Sequence, residues 1–194
     1  MGYLLLFLLV LFADQITKAI AFAVMGPESS LHIWIPDLLG IKTTVNTGVS
    51  FGWFGDEPWA MPVFIAVTAV ALVVFFIFFI KTARRKRFLR VALVLIMVGA
   101  AGNLIDRSVM SGVRDLIWMD FKFVPDFSNN IADIAIFVGA VMFILALLFV
   151  DDDAVFRPNK KKEEKELEEA AADLNEHAAK AEESGEDIGP LSDG

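Results

Sequence analysis

The sequence predicts an all-α membrane protein with four transmembrane helices and a small extracytoplasmic β or lid element. Three observations lead to this fold class. The chain of 194 residues is 56% hydrophobic, above the roughly 45–50% that is typical of a soluble domain. Its apolar residues form four stretches of about the 20 residues that a membrane-spanning helix needs. Most of its charges lie elsewhere, in a short basic segment and an acidic C-terminal tail.

The four apolar stretches differ in the polar residues that they contain. The first resembles the core of a secretory signal at its start, but no basic segment precedes it, which favours an uncleaved helix. The second carries no charge, and the third is interrupted by Gly99, Gly102 and Asn103. The predicted spans cover about residues 3–25, 60–80, 88–106 and 131–150.

A basic cluster sets the predicted orientation. Six Lys and Arg residues lie within residues 81–90, between the second and third spans. The positive-inside rule places this loop and both termini in the cytoplasm, with residues 26–59 and 107–130 outside. Trp34, with Ile33 and Ile35, indicates a short strand. The first outer segment is long enough for a short sheet and an amphipathic lid, in which Gly48, Gly52 and Gly55 are either hinges or simple turn residues. The tryptophans all fall in outer segments, as in an interfacial belt: Trp34, Trp53, Trp59 and Trp118.

The acidic balance belongs to the C-terminal tail. Residues 151–194 hold six Lys and Arg against fifteen Asp and Glu, a net charge of −9, whereas residues 1–150 hold eleven against ten, a net charge of +1. The tail has too few apolar residues for a core. We therefore expect a membrane domain over residues 1–150 and a disordered or loosely helical cytoplasmic tail over residues 151–194.

Composition excludes several kinds of site. The net charge of −8 argues against a nucleic-acid partner. The chain has no cysteine, and its histidines are His32 and His177, so a thiol nucleophile, a zinc cluster or a Ser–His–Asp triad is not expected. We expect a monomer without metal or cofactor, whose chemistry rests on carboxylates, hydroxyls, amides, Lys or Arg.

Ionisable residues inside a membrane span are costly and suggest function. Asp14 and Lys18 are four residues apart and share a face of the first helix, which favours an internal ion pair slightly over a chemical role. Asn103 and Asp106 share a face of the third helix and are expected to point into the bundle. With Arg107 they form either a packing face with a polar end or a pocket in which Arg107 meets a lipid phosphate.

Two acids are the most informative. Asp115 follows the third span and Asp133 begins the fourth, so the topology places both at the outer boundary. Two close carboxyls cannot both ionise easily, and one can activate water while the other donates a proton. Asp133 could instead cap its helix. Asp120 and Asp126 are interpreted as solvated.

Four segments, in this order along the chain, resemble the motifs of bacterial lipoprotein signal peptidases (signal peptidase II). ADQITK at 13–18 is similar to the first-helix D-x-x-[ST]-K element, and VNTGVSFGWF at 45–54 to the outer-loop segment. GAAGNLIDRSVMSGVRDLI at 99–117 resembles the long family signature, and NIAD at 130–133 the F-N-x-A-D element. Asn129 and Leu116 depart from the aromatic residues usual at those positions.

The resemblance implies an aspartic endopeptidase of the bacterial cytoplasmic membrane, with its active site at the extracytoplasmic face and membrane lipid around it. Its substrate would be a prolipoprotein, cut on the amino side of a diacylglyceryl-modified cysteine. The implied catalytic pair is Asp115 and Asp133. The implied pocket residues are Asn46, Gly48, Asn103, Arg107 and Asn130, and the implied structural residues are Asp14, Lys18 and Asp106.

Two other classes of protein remain alternatives. A small transporter or channel would also place charged residues inside a bundle, although paired inverted repeats and broken helices are not visible in the sequence. A non-catalytic scaffold with an acidic recruiting tail would leave Asp115 and Asp133 unexplained.

Overall fold

The computed structural model describes residues 2–48, 57, 59–121, 124–150 and 167–175. Within them lie four helices that are long and apolar enough to cross a membrane, as the sequence predicts. The third extends to Met110, beyond the predicted end at residue 106. The helices are α1 (Gly2–Met25), α2 (Ala60–Lys81), α3 (Arg87–Met110) and α4 (Ile131–Leu145), and α4 continues into a π-helical turn (Ala146–Val150).

The third helix is the centre of the bundle, because α1, α2 and α4 all pack against it. Glycines allow α3 and α4 to approach each other closely. A Cβ atom on Gly139 would lie 2.8 Å from the carbonyl oxygen of Ala92, and one on Gly99 would collide with the carbonyl oxygen of Ala132. Small residues of this kind bring helix backbones together in membrane proteins. The interface fixes where α4 begins relative to the end of α3.

Large apolar side chains cover the outer faces of α1, α2 and α4. Phe12, Val70 and Phe137 are each more than 60% exposed, an arrangement that suits contact with lipid and not with water. At the bundle end where α3 begins, the guanidinium of Arg90 lies 4.2 Å from the ring centroid of Phe79 and donates to the carbonyl of Thr82.

A four-stranded antiparallel sheet, in the order β1-β2-β3-β4, lies where α3 ends and α4 begins. Its strands are β1 (His32–Ile35), β2 (Leu39–Asn46), β3 (Val113–Phe121) and β4 (Val124–Asn129). Ser111, with φ of 55°, turns the chain from α3 into β3. The strand predicted around residues 33–35 is present as β1, and its pairing with β2 forms the short sheet expected in the first outer segment. Strands β3 and β4 are additional.

The predicted tryptophan belt needs a correction. Trp34 and Trp59 are exposed, but Trp118 is only 8% exposed and donates its indole N–H to Asp126 at 2.9 Å. Trp118 is therefore a packed residue of β3. Trp53, Gly52 and Gly55 lie outside the described residues.

The tail is described over residues 167–175, which are helical and exposed. His177 and the rest of the tail lie outside the described residues. The division at residue 150 stays a prediction.

Candidate active site

Asn130 connects the two acids that the sequence singles out. Its side-chain Nδ2 donates to Asp115 Oδ1 at 2.7 Å, and its backbone N–H donates to Asp133 Oδ2 at 3.2 Å. The two carboxyls border the same cavity. Residues from β3 and α4 therefore meet at one point, although they are 18 positions apart in the chain.

The first turn of α4 explains the position of Asp133. Asn130 is the N-cap, and its side-chain oxygen accepts from the backbone N–H of Asp133 at 2.9 Å. With the reverse bond from the Asn130 backbone, this forms a capping box. Asp133 thus caps its helix and also faces the cavity, so the two interpretations open from the sequence are compatible.

The outer-loop asparagine reaches the same site from β2. Thr44 pairs with Asp115 across the β2–β3 ladder, which brings Asn46 alongside. Asn46 Nδ2 lies 3.3 Å from Asp115 Oδ2, and the backbone N–H of Gly48 donates to the Asn46 side-chain oxygen at 3.0 Å. Gly48 therefore orients Asn46, and Asn46 orients the Asp115 carboxyl.

The surroundings of Asp115 favour its neutral form. The residue is 2% exposed. Burial, and then the nearby charge of Asp133, raise the pKa of Asp115 to about 7, although hydrogen bonds from Asn130 and Asn46 and the charge of Lys18 oppose the shift. A carboxyl that keeps its proton near neutral pH can act as a general acid.

A buried ion cluster supports the site. Lys18 Nζ lies 2.8 Å from Asp14 Oδ2 and 3.1 Å from Asp106 Oδ2, and donates to Asn103 Oδ1 at 3.1 Å. An ammonium group has three donors, and these contacts use all three. The ion pair of Asp14 with Lys18 matches the sequence interpretation, which did not foresee that Asp106 shares it.

Two bonds extend the cluster to α4. Asn103 Nδ2 donates to Asp133 Oδ1 at 2.7 Å, and Asp14 Oδ1 accepts from the backbone N–H of Ala132 at 2.9 Å. The α1 and α3 residues therefore hold the start of the helix that carries Asp133.

Sequence reasoning missed two polar residues beside the cluster. Arg114 Nη2 lies 2.7 Å from Asp106 Oδ1 and donates to Gln15 Oε1 at 2.9 Å. The available signals were their positions, since Gln15 follows Asp14 and Arg114 precedes Asp115. Neither spacing indicates that the two side chains meet across 99 positions.

The cavity beside Asp115 and Asp133 has a volume of about 520 Å³. Asn46, Asn103 and Arg107 contribute its polar walls. The Arg107 guanidinium lies 5.8 Å from the ring centroid of Phe64, and its buried Nε has no hydrogen-bond partner among the described residues. Apolar walls come from α2, α3 and α4, through Val67, Ala71, Phe75, Ile96 and Ile136. The arrangement joins a carboxyl pair to an apolar groove between helices.

The acidic side chains of the site are not arranged as a metal centre among the described residues. Within the described ranges, no three His, Asp or Glu side chains are grouped so that they could hold a metal ion. Carboxyls, amides and bound water suffice for acid–base hydrolysis.

The family model of signal peptidase (SPase) II matches residues 6–149. The chain belongs to the signal peptidase II family. The lipoprotein signal peptidase of Symbiobacterium thermophilum is 36% identical over 141 residues, which cover 71% of this chain and 88% of the relative. That of Staphylococcus haemolyticus is 36% identical over 140 residues, which cover 72% and 85%.

The fold agrees with solved structures. One bacterial membrane enzyme, solved by the in meso method, superposes with a TM-score of 0.70 at 32% identity, covering 81% of this chain and 92% of that one. A second gives a TM-score of 0.67 at 33% identity.

Membership of the signal peptidase II family establishes the class of activity. The chain is a multi-pass membrane protein and an aspartic peptidase that removes signal peptides from prolipoproteins. The function predicted from the sequence is confirmed. These comparisons give no support to a transporter or to a non-catalytic scaffold.

Proposed function

We propose that Asp115 and Asp133 are the catalytic dyad with which this signal peptidase II cuts prolipoproteins. The observation that carries the proposal is the pair of hydrogen bonds from Asn130, one to each carboxyl. Two carboxyls held by one residue at the wall of one cavity can act on the same peptide bond.

The dyad divides the acid and base roles. Asp115, whose pKa is raised to about 7 by burial, keeps the proton, and Asp133 is the base. Asp133 takes a proton from water as the water oxygen attacks the scissile carbonyl carbon, and Asp115 gives its proton to the carbonyl oxygen. The gem-diol intermediate then collapses and the C–N bond breaks. The leaving amine takes the proton from Asp133, and Asp115 takes back a proton from a hydroxyl of the gem-diol, which restores both carboxyls and leaves a carboxylic acid product.

The groove between the helices suits a lipid-modified substrate. Its apolar walls extend from the carboxyls along α2, α3 and α4. We propose that it holds the diacylglyceryl-modified cysteine, with the bond on the amino side of that cysteine beside the dyad. Asn46 and Asn103 line its polar end, and hydrogen bonds from Gly48 and Asn130 hold Asn46 and Asp115 in place there. Arg107 donates to an oxygen of the substrate or of a neighbouring lipid.

The proposed orientation rests on charge. The basic segment over residues 81–90 lies at the opposite end of the bundle from the sheet, so the positive-inside rule puts the sheet and the dyad at the extracytoplasmic face of the bacterial cytoplasmic membrane. Both termini are then cytoplasmic. Exposed Trp34 and Trp59 on the sheet side suit the interfacial region.

The proposed domain organisation is a peptidase domain over residues 1–150 followed by an acidic tail. The family match ends at residue 149. We propose that the enzyme acts as a monomer surrounded by lipid.

The deciding experiment measures cleavage of a diacylglyceryl-modified prolipoprotein by purified enzyme in phospholipid–detergent micelles. Asp115→Asn and Asp133→Asn should each lower kcat by roughly 100- to 10,000-fold, the usual contribution of a general acid or base. The matched control is Asp120→Asn, which changes an acid of the same strand that does not line the cavity. Near-normal turnover by either folded dyad variant would refute the assignment.

The orientation of the enzyme in the membrane can be tested by cysteine labelling. The chain has no cysteine of its own, so an introduced cysteine is the single site that a maleimide can label. Single cysteines replace Asp37 in the β1–β2 turn and Arg84 between α2 and α3, both exposed. A membrane-impermeant maleimide should label Asp37→Cys in intact cells and Arg84→Cys only after permeabilisation. The reverse pattern would overturn the proposed orientation.

A further inference from the structure

Arg114, directly before Asp115, ties the start of β3 to two helices. Its Nη2 lies 2.7 Å from Asp106 Oδ1, and its backbone N–H donates to Asp106 Oδ2 at 3.0 Å. The same Nη2 donates to Gln15 Oε1 on α1 at 2.9 Å. Successive side chains of a strand point to opposite faces. Anchoring Arg114 on one face therefore sets the direction of Asp115 on the other.

Gln15 presents a fixed acceptor to Arg114. Its Nε2 lies 3.0 Å from Asp14 Oδ2, 3.2 Å from the carbonyl oxygen of Gly102 and 3.4 Å from Asp106 Oδ1. An amide nitrogen can donate and cannot accept. With its nitrogen turned toward these acceptors, the amide must point its oxygen at Arg114. These contacts of Nε2 therefore fix the orientation of the Gln15 amide independently of Arg114.

The charges around Asp106 balance when Arg114 is counted. Lys18 is shared between Asp14 and Asp106, and Arg114 supplies a second positive charge to Asp106. Among the described residues, the other charged groups near these ion pairs are Arg107, Asp115 and Asp133. Without Arg114, two buried carboxylates would share one cation beside the dyad, which is an unfavourable state for buried charges.

We propose that Arg114 and Gln15 form a positioning unit for Asp115, which fixes the strand carrying that carboxyl and balances the charge next to the dyad. The inference rests on the proposed catalytic role of Asp115. Neither residue lines the cavity, so both act through others and neither touches the reacting atoms.

The test compares five variants of the full-length enzyme in phospholipid–detergent micelles. Arg114→Met should lower kcat by as much as about 100-fold, the effect of a catalytic group displaced by about 1 Å, while KM stays within about twofold. Its acid limb in the pH profile of kcat/KM should move to higher pH, because an uncompensated carboxylate favours protonation of the dyad. Arg84→Met, at an exposed arginine, is the matched control and should change neither.

Lysine at position 114 separates charge from geometry. Arg114→Lys should keep the wild-type acid limb, since the charge remains. It should recover only part of kcat, since an ammonium lacks the planar fork that reaches Asp106 and Gln15 together. Gln15→Met should lower kcat less than Arg114→Met, because Arg114 keeps its contacts with Asp106. The double variant should match Arg114→Met alone, because Gln15 acts on Asp115 through its bond to Arg114.

The outcomes distinguish the two proposals. An active Asp115→Asn enzyme would overturn the dyad itself. An inactive Asp115→Asn enzyme together with wild-type kcat and pH profile in Arg114→Met would overturn the positioning unit alone. If Arg114→Met does not fold, Arg114→Lys and Gln15→Met decide: lowered kcat at unchanged KM in both supports the unit, and wild-type kcat in both refutes it.

Discussion

Asn103 Nδ2 donates a 2.7 Å hydrogen bond to Asp133 Oδ1 and so joins the middle of the site to the start of α4. The orientation of this amide has a physical cause. Lys18 can only donate, and its Nζ lies 3.1 Å from Asn103 Oδ1. The amide oxygen must therefore face Lys18, which leaves the nitrogen for Asp133. Lys18 thus acts on the dyad through an intermediate side chain.

We predict that Asn103→Leu impairs turnover without unfolding the enzyme. A hydrogen bond to a charged group contributes about 1.5–3 kcal/mol, so kcat should fall roughly 10- to 100-fold. Asn175→Leu, in the exposed helix of the tail, is the control. Steady-state kinetics on the diacylglyceryl-modified substrate provide the measurement, and an unchanged kcat would show that Asp133 does not need this donor.

The pH profile should reveal the proton on Asp115. Its raised pKa of about 7, caused first by burial and then by Asp133, means that the general acid loses its proton as the pH rises through that value. We expect kcat/KM to fall about tenfold per pH unit in the basic limb. The Asp120→Asn enzyme should give the same curve. A flat profile up to about pH 9 would contradict the assignment of Asp115 as the acid.

Stability should depend on the same carboxyl. Because the folded state raises the pKa of Asp115 from 3.8 to about 7, it binds the proton more tightly than the unfolded state. Stability is therefore lost as the pH rises from about 4 to 7, by up to about 4 kcal/mol at 1.36 kcal/mol per pKa unit. Asp115→Asn removes this cost. Its Tm should exceed that of the wild type at about pH 8 and match it near pH 4.

That stability comparison is made by thermal unfolding in one detergent, with Asp120→Asn alongside. A wild-type Tm at or above that of Asp115→Asn at about pH 8 would show that the buried carboxylate is better compensated than its contacts indicate.

Helix periodicity and topology predicted much of the site. The four-residue spacing of Asp14 and Lys18 predicted their ion pair. The shared helix face of Asn103 and Asp106 predicted that both side chains point into the bundle. The family motif then implied Asn46, which the structure places within hydrogen-bond distance of Asp115.

Strands β3 and β4 and the contacts of Arg114 could not be predicted from the sequence. The segment VRDLIWMDF does not alternate between apolar and polar residues, because β3 is covered by neighbours on both faces over its first half. The alternation of polar and apolar residues that marks a half-buried strand is therefore absent from this segment. The contact of Arg114 with Asp106 and Gln15 depends on how β3 turns back at Ser111, which is a tertiary outcome that local spacing cannot encode.

Gly99 on α3 and Gly139 on α4 bring the two helices into close contact. Gly99 faces the carbonyl oxygen of Ala132, next to Asp133, while a Cβ on Gly139 would lie 2.8 Å from the carbonyl oxygen of Ala92. The contacting atoms are backbone carbonyl oxygens of Ala132 and Ala92, which cannot move aside as the end of a flexible side chain can. Gly99→Ala and Gly139→Ala should therefore each cost about 1–3 kcal/mol of stability, as overpacking does.

The two glycine variants should differ in activity. Gly99→Ala displaces the turn of α4 that carries Asp133 and should lower kcat strongly, whereas Gly139→Ala acts two turns further along and should lower it less. Gly2→Ala, where a Cβ meets no atom within 4 Å, should leave Tm and kcat unchanged. Equal kcat for Gly99→Ala and the wild type would mean that α4 can move without moving Asp133, and the close packing would then serve stability alone.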